Sequence, residues 1–433
     1  VLQDLALRFS EWEGTLQQRR PALAWGIAFL VGAAIAISYL DRQTLPWAIK
    51  AIQADFPISN QVKAALDSAF LVTYGLMYLG GGWLLDRVGT RKGFLLVMSV
   101  WSLACASHGL ARNAISLAAS RLMLGLGEGG GFPAATRAVA EWFSPKDRAL
   151  AMGIVNAGTA IGAVIAPPLI VWVLTQVHWF DLASWRWVFY LTGILGLVWA
   201  VAWAFIYFTP DASPEQRTQE AEGPAITVAM LVSRKEVRGV VLAKFLSDAA
   251  WYFYLFWLPK YLFEVQHFDL KQAGSLGWIP YAASGVGCLV GGWLSSYLLG
   301  RGASVDSSRK VALGFSAVLM PWVMLVPHVP GIGWVLFLFS LAFFGQQSWS
   351  TLVMVLPTDL VPRQAVGKLA GLVGLGGAMG GVVLGQTAGW LLDHGFSYTP
   401  VLTIAACLHL IAFGTICLSI PHLQRLTFGK PVS

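Results

Sequence analysis

Charge is what this chain has least of. Only 12% of its 433 residues are Asp, Glu, Lys or Arg, against roughly 25% in an ordinary soluble domain, and 56% are hydrophobic. A solvated globular protein is excluded, and an all-α polytopic membrane protein fits. Basic residues outnumber acidic ones, for a net charge of +7. Most of them fall in connecting segments on one side, so loop topology accounts for them and no nucleic-acid partner is implied.

Cysteine is scarce as well. Cys105, Cys288, Cys407 and Cys417 lie in apolar runs without metal-ligand spacing, so buried structural thiols and no metal site are expected. The seven histidines are scattered and no nucleophile elbow occurs, so no catalytic residue is named and an integral membrane enzyme is disfavoured. No G-x-x-x-x-G-K-[ST] run is present, which removes a nucleotide-driven pump. Missing too are an Asn-x-Ser/Thr sequon and an apolar leader, since VLQDLALRFSEWEGTLQQRR is amphipathic and charged. The first span is expected to do the targeting, and a bacterial inner (cytoplasmic) membrane suits both facts.

Long hydrophobic runs are what the chain has in abundance. Measured against the ~20 residues that cross a bilayer, twelve stretches qualify, from 22–46 to 398–420. Six precede and six follow the polar, proline-bearing segment TPDASPEQRTQEAEGP at 209–224. The expected division is a six-helix bundle over 1–208, a cytoplasmic linker over 209–238, and a second six-helix bundle with a short tail over 239–433. Both termini are placed in the cytoplasm by the excess of Lys and Arg on that side.

The halves echo one another. GGWLLDRVGTRKG (81–93) returns as GGWLSSYLLGRG (291–302). GIVNAGTAIG (153–162) returns as GLVGLGGAMG (371–380), setting Gly153, Gly158 and Gly162 in register with Gly371, Gly376 and Gly380. A parallel duplication of this kind places a substrate site between the halves near the bilayer midplane. Small residues so spaced let helices approach closely in lipid, and bundles that move against each other would carry them in corresponding spans.

On the turn between the second and third spans stand Gly82, Asp86, Arg87, Gly89, Arg91 and Lys92. Gly89 permits a tight reversal, and Asp86 can pair with a basic residue or a helix N-terminus. Here the sequence resembles the major facilitator superfamily, whose loop at this place reads G-x-x-x-D-R-x-G-x-[RK]-[RK] and latches the cytoplasmic side of the outward-facing state. The second-half copy has lost the motif, with Ser296 and Tyr297 in the places of Asp86 and Arg87. Four further stretches are similar to the anion:cation symporter branch, in particular its hexuronate and sugar-acid transporters. They are RLMLGLGEGGGFPAATRAVAEWF (121–143), NAGTAIGAVIAPPL (156–169), KFLSDAAWYFYLFWLPKYL (244–262) and AVGKLAGLVGLGGAMGG (365–381). The resemblance implies twelve helices in two bundles, alternating access, and uptake of a small carboxylate together with protons. No cofactor is needed, and a monomer in the bilayer is expected to suffice.

Within SYLDRQTLPWAI (38–49), Asp41 and Arg42 stand side by side in apolar surroundings, and Arg121 and Glu128 lie seven residues apart in the fourth span. Seven residues are two helical turns, or about 10 Å on nearly one face. Charge facing lipid is costly, so these groups should face the interior or a water-filled cavity. A permanently cationic, planar guanidinium matches a carboxylate bidentately, so such a cavity selects anions. Two arginines suit a phosphate ester as well, and an organic-anion or phosphate-ester exchanger is the alternative function.

By the resemblance, Arg42 clamps the substrate carboxylate, Tyr74 contacts substrate, and Glu128 is a protonatable carboxyl. Arg121 matches a second basic residue that serves substrate, relay or gate, unless it forms an ion pair with Glu128 or Asp41. Neighbouring side chains diverge by about 100° on a helix, so Asp41 should face another span, with Arg121 as its candidate partner. Asp41 and Glu128 are the expected proton-coupling pair. Hydroxyl groups of a substrate need neutral partners, for which Tyr78, Asn156, Thr159, Trp251, Tyr254, Gln346, Gln347 and Trp349 are placed to serve. Lys244 and Asp248, four apart, read as a pair at the cytoplasmic end of the seventh span, and Lys368 as a side chain snorkelling to the interface.

Overall fold

The computed structural model describes residues 2–143, 147–209 and 226–428, with side chains from Ala22 onward except at 149 and 363. Of the linker expected at 209–238, residues 210–225 lie outside the described residues, and the rest includes a short helix, Val228–Val232, and the start of the seventh span at Lys235.

Among the described residues twelve helical spans follow one another along the chain. The first is Leu2–Asp55, longer than its apolar run, and it continues unbroken through the Asp41–Arg42 pair. The second is Asn60–Val88 and the third Thr90–His108. The fourth is in two pieces, Ala114–Glu128 and Gly131–Trp142. Arg148–Gln176 and Ser184–Ile206 complete the first half. The seventh span, Lys235–Glu264, starts a turn before its apolar run. The eighth comprises Leu270–Leu276 and Ile279–Gly300. The ninth is Val305–Val318, extended by a 3-10 stretch, Pro321–His328, and the tenth is Ile332–Val353 with a closing turn Leu356–Leu360. Arg363–Asp393 and Thr399–Ser419 are the last two. Helices are what lipid permits, because each satisfies its backbone donors and acceptors within itself. Large side chains such as Ile115, Phe205, Leu289 and Leu418 stand exposed on the outside, where hydrocarbon meets them.

Ends and reversals follow local chemistry. Asn113 and Ser116 form a reciprocal cap that starts the fourth span, and Asp269 and Gln272 do the same for the eighth. One residue, Gly89, separates the second helix from the third. Its φ of 77° is a conformation that glycine adopts without steric cost.

Packing repeats from half to half. The first span lies on the fifth, the second on the fourth and the third on the sixth, and likewise the seventh on the eleventh, the eighth on the tenth and the ninth on the twelfth. The repeat glycines explain the tightest of these crossings. A Cβ at Gly158 or Gly162 would strike the carbonyls of Gly32 and Ala36 on the first span. One at Gly376 or Gly380 would meet the carbonyls of Val241 and Phe245 on the seventh. Gly153 and Gly371 break the symmetry, the former facing open space and the latter facing Tyr78 and Leu79 of the other half. The halves themselves meet along the second and eleventh spans, the fifth and eighth, and the first and seventh.

Polar contacts between the halves gather at the end of the molecule away from the linker. Lys50 reaches Glu264 at 3.2 Å, and Lys260 bonds to Asn60 and, at 2.7 Å, to Glu264. Asp393, ending the eleventh helix, accepts from the backbone N–H groups of Asn60 at 3.0 Å and Gln61 at 2.8 Å. It thereby caps the N-terminus of the second span from the opposite half. Of the four cysteines only Cys105 is buried, and the other three are half-buried.

Candidate functional site

The site forms where the fourth span has no side chains to hold it off. In GLGEGGG (125–131) a Cβ at Gly125 would meet Phe70 O of the second span, one at Gly127 the backbone of Trp101 on the third, and one at Gly129 Tyr74 O. The helices close to backbone distance, and Glu128, 1% exposed, is carried against the first span.

There it meets Arg42, which is 2% exposed. Arg42 Nε donates to Glu128 Oε2 at 2.6 Å and Nη2 donates to Ser38 Oγ at 3.3 Å, while Ser38 itself donates to the same Oε2 at 2.9 Å. The guanidinium carbon sits 4.5 Å from the ring centroid of Tyr74 and 4.7 Å from that of Tyr39. Nη1 has no partner among the described residues, so the Nη1–Nη2 edge is open to a carboxylate.

Asp41 turns away, as neighbouring positions on a helix require. Its Oδ1 accepts from the Cys105 thiol at 3.5 Å, and its Oδ2 is buried without a partner. The pairing of Asp41 with Arg121 expected from the sequence is not formed, nor is one between Arg121 and Glu128. Arg121 reaches Asp67 at 3.5 Å instead, and Asp67 is held by Lys63 at 2.6 Å. Nε and Nη1 of Arg121 are buried without partners, and Phe70 lies between the two arginines, 4.7 Å from Arg121 and 5.7 Å from Arg42.

Sequence reasoning passed over Lys63 and Asp67. Their signal was present, opposite charges four apart in NQVKAALDSAFLVTYGLM with Asp67 two turns before Tyr74, but near a helix start it reads as an ordinary end pair.

Across the interface, Lys244 and Asp248 do form the expected pair, at 3.0 Å. They are buried, however, and they extend into the bundle, because Gln346 Nε2 donates to Asp248 Oδ1 at 3.3 Å and the other end of the Gln346 amide bonds to His409. Lys244 also donates to Ser350 Oγ at 2.8 Å. Gln346 is thus occupied at both ends, and it orients Asp248.

Between the two charged groups stand four tyrosines, Tyr39, Tyr74, Tyr78 and Tyr252. Tyr39 and Tyr74 stack on Arg42, Tyr78 lies 5.8 Å from Tyr74, and Tyr78, Asp248 and Tyr252 lie against Gly374, Gly377 and Gly381 of the eleventh span. None of the four hydroxyls has a hydrogen-bond partner among the described residues. Tyr252 continues through Phe256 (5.8 Å) to Phe70 (6.2 Å), so aromatic rings from both halves line one space. Tyr39 and Tyr252 were not singled out from sequence, where 11 tyrosines and 20 tryptophans offer no way to rank them.

Other expected residues lie elsewhere. Trp251 packs on Phe343 at 5.4 Å, Tyr254 on Phe339 and Phe343 at 6.3 and 6.2 Å, and Trp349 on His409 at 5.5 Å, all within the second bundle. Asn156 is exposed, and the Thr159 hydroxyl donates to the Asn156 carbonyl at 2.7 Å. The loop motif makes its contacts inside the first half. Asp86 accepts from Arg137 at 2.5 Å, Arg91 donates to Ala204 O at 2.6 Å, Arg87 lies 3.9 Å over Trp83, and Gly82 faces open space. Lys368 donates to Ile226 O at 2.8 Å.

The profile of the Major Facilitator Superfamily matches residues 31–385. The hexuronate transporter of Escherichia coli is 29% identical over 405 residues, 90% of this chain and 92% of that protein. The D-galactonate transporter of Escherichia coli O6:H1 is 28% identical over 413 residues, 90% of this chain and 94% of that one. Among solved structures, a bacterial homologue of the human lysosomal transporter Spinster, inward-facing and occupied, superposes with a TM-score of 0.72 at 17% identity. The match covers 91% of this chain and 96% of that one, and it concerns the fold.

Proposed function

Because the chain belongs to the Major Facilitator Superfamily of membrane transporters, we propose that it takes up a sugar acid, a hexuronate or hexonate, in symport with protons by alternating access. The observation that carries this reading is Arg42. A guanidinium buried at the junction of the halves keeps one edge free and stacks on the rings of Tyr39 and Tyr74, and the hydroxyls of these two, of Tyr78 and of Tyr252 have no hydrogen-bond partner among the described residues. A carboxylate suits the edge, a polyol suits the hydroxyls, and sugar acids carry both. Arg121, with two unpartnered donors, is the second cation of the cavity.

Proton coupling rests on charge balance. The buried cations are Arg42, Lys63, Arg121, Lys244 and Lys260. The buried acids are Asp41, Asp67, Glu128 and Asp248, with half-buried Glu264 holding Lys260. With all of these groups ionised the described interior balances, and an arriving anion unbalances it at a cost that a low-dielectric core makes large. A proton taken up by Glu128, bonded to Arg42, or by Asp41, which no cation touches, restores the balance. With both termini in the cytoplasm of a bacterial cell, the end joined by Lys50, Lys260 and Asp393 is periplasmic. In this reading the loop of Asp86 is a gate element of the opposite end.

The test is uptake by the purified protein in proteoliposomes. An inward-directed proton gradient should drive accumulation of D-glucuronate or D-galactonate above equilibrium. Substrate exchange that ignores the gradient would overturn the symport reading.

A further inference from the structure

Resting on the sugar-acid reading, we propose that Asp248 decides which sugar acids the site admits, by accepting the polyol end of the substrate and refusing a second carboxylate there.

The two ends of the site are not alike. At the first-half end Arg42 offers a free cationic edge. At the second-half end the cation, Lys244, is already committed to Asp248 Oδ1 at 3.0 Å and to Ser350 Oγ at 2.8 Å. Asp248 spends Oδ1 on Lys244 and on the Gln346 amide, and Gln346 is fixed from behind by His409. Oδ2 is left without a hydrogen bond from any described residue. It lies beside Gly377, so closely that a Cβ at that position would strike it. Glycine at 377 is therefore what leaves the carboxylate oxygen its place, and since Tyr78 and Tyr252 lie against Gly374 and Gly381 of the same helix, that oxygen stands beside the tyrosine-lined space.

An unengaged carboxylate oxygen accepts hydrogen bonds from hydroxyl groups and repels another carboxylate. A monoacid held by Arg42 can turn its terminal hydroxyl or its ring hydroxyls to Oδ2. A six-carbon diacid in the same pose brings a second anion to it. Asp248 also keeps Lys244 neutralised, so that no free cation invites the diacid. Neutralising Asp248 alone would remove the repulsion and release Lys244 together.

The experiment compares three acids built on D-galactose: D-galactonate, oxidised at C1, D-galacturonate, oxidised at C6, and galactarate, oxidised at both ends and so matching either monoacid when read from the corresponding carboxylate. Binding to the full chain in detergent is measured by competition at fixed pH. The unmodified protein is expected to favour the better monoacid over galactarate at least tenfold. Asp248→Asn is expected to reduce that ratio at least tenfold, and adding Lys244→Met to it should take the gained galactarate binding away. Equal or tighter binding of galactarate by the unmodified protein overturns the proposal, as does an unchanged ratio in D248N. Gly377→Ala supplies a route that leaves every charge in place. Its Cβ displaces Oδ2, and it should weaken D-galactonate at least fivefold, unchanged binding counting against the proposal. Absence of binding of all three acids to the unmodified protein would instead overturn the sugar-acid reading on which this rests.

Discussion

At the scale of single residues, what a cation can still bind depends on how many donors it has left. Arg42 spends Nε on Glu128 and shares Nη2 with Ser38, and only a planar fork has a further edge to give. Arg42→Lys is expected to keep the fold, since an ammonium can still pair with Glu128, and to lose at least tenfold in affinity for D-galactonate. That loss corresponds to a charge-assisted bond of about 1.5–3 kcal/mol. Near-normal affinity in the purified variant would remove the clamp from Arg42. The coupling acids make a different prediction. Glu128→Gln keeps a carbonyl oxygen for Arg42 Nε and Ser38, so binding and exchange should survive while accumulation driven by a pH gradient disappears. Asp41→Asn, at a carboxyl that accepts from the Cys105 thiol and is paired with no cation among the described residues, should behave alike. Either variant concentrating substrate on protons alone would show that its carboxyl is structural.

At the scale of elements, glycine decides which helices touch. Gly380 lies on the Phe245 carbonyl, so Gly380→Val must push the eleventh span off the seventh, at about 1–3 kcal/mol for overpacking. A lower melting temperature than the parent is expected in detergent, with Gly385→Val on the same helix as control, because nothing lies within 4 Å of a Cβ there. Equal melting of the two variants would show that the crossing is not tight. Much of this level was legible in the sequence. Runs without charge mark the spans, and the register of Gly158 and Gly162 with Gly376 and Gly380 anticipates equivalent crossings. What could not be read is which helix each charge faces. Asp41 meets Cys105 and Arg121 meets Asp67 because of rotations set by packing between helices, to which one-dimensional spacing is blind. Asp67 belongs to an i,i+4 pair that looks self-sufficient, so nothing in its own helix asks for a third partner. The tyrosines face a similar limit. Tyr74 stood out by resemblance, whereas Tyr39 and Tyr252 gain meaning only once the halves are placed together.

At the scale of the whole molecule, the halves are fastened by polar contacts at one end. Asp393 caps the second span from across the interface with two charge-assisted bonds to backbone N–H groups, about twice as strong each as neutral ones. Asp393→Asn should therefore favour the conformation open at that end. Spin labels at Ala54 and His267, exposed on either half at that end, would report a longer distance population, and an unaltered distribution would place the lock elsewhere. The balanced set of buried charges reaches further, into electricity. If the loaded interior is as neutral as the empty one, a monovalent acid crossing with one proton moves no net charge in either limb of the cycle. Membrane voltage then has nothing to pull on. Uptake of D-galactonate at a fixed pH gradient should proceed at the same rate whether potassium and valinomycin hold the vesicle interior at zero or strongly negative potential. Acceleration by a negative interior would mean that more than one proton travels with each anion, and that a second of the four buried acids is titrated along the way.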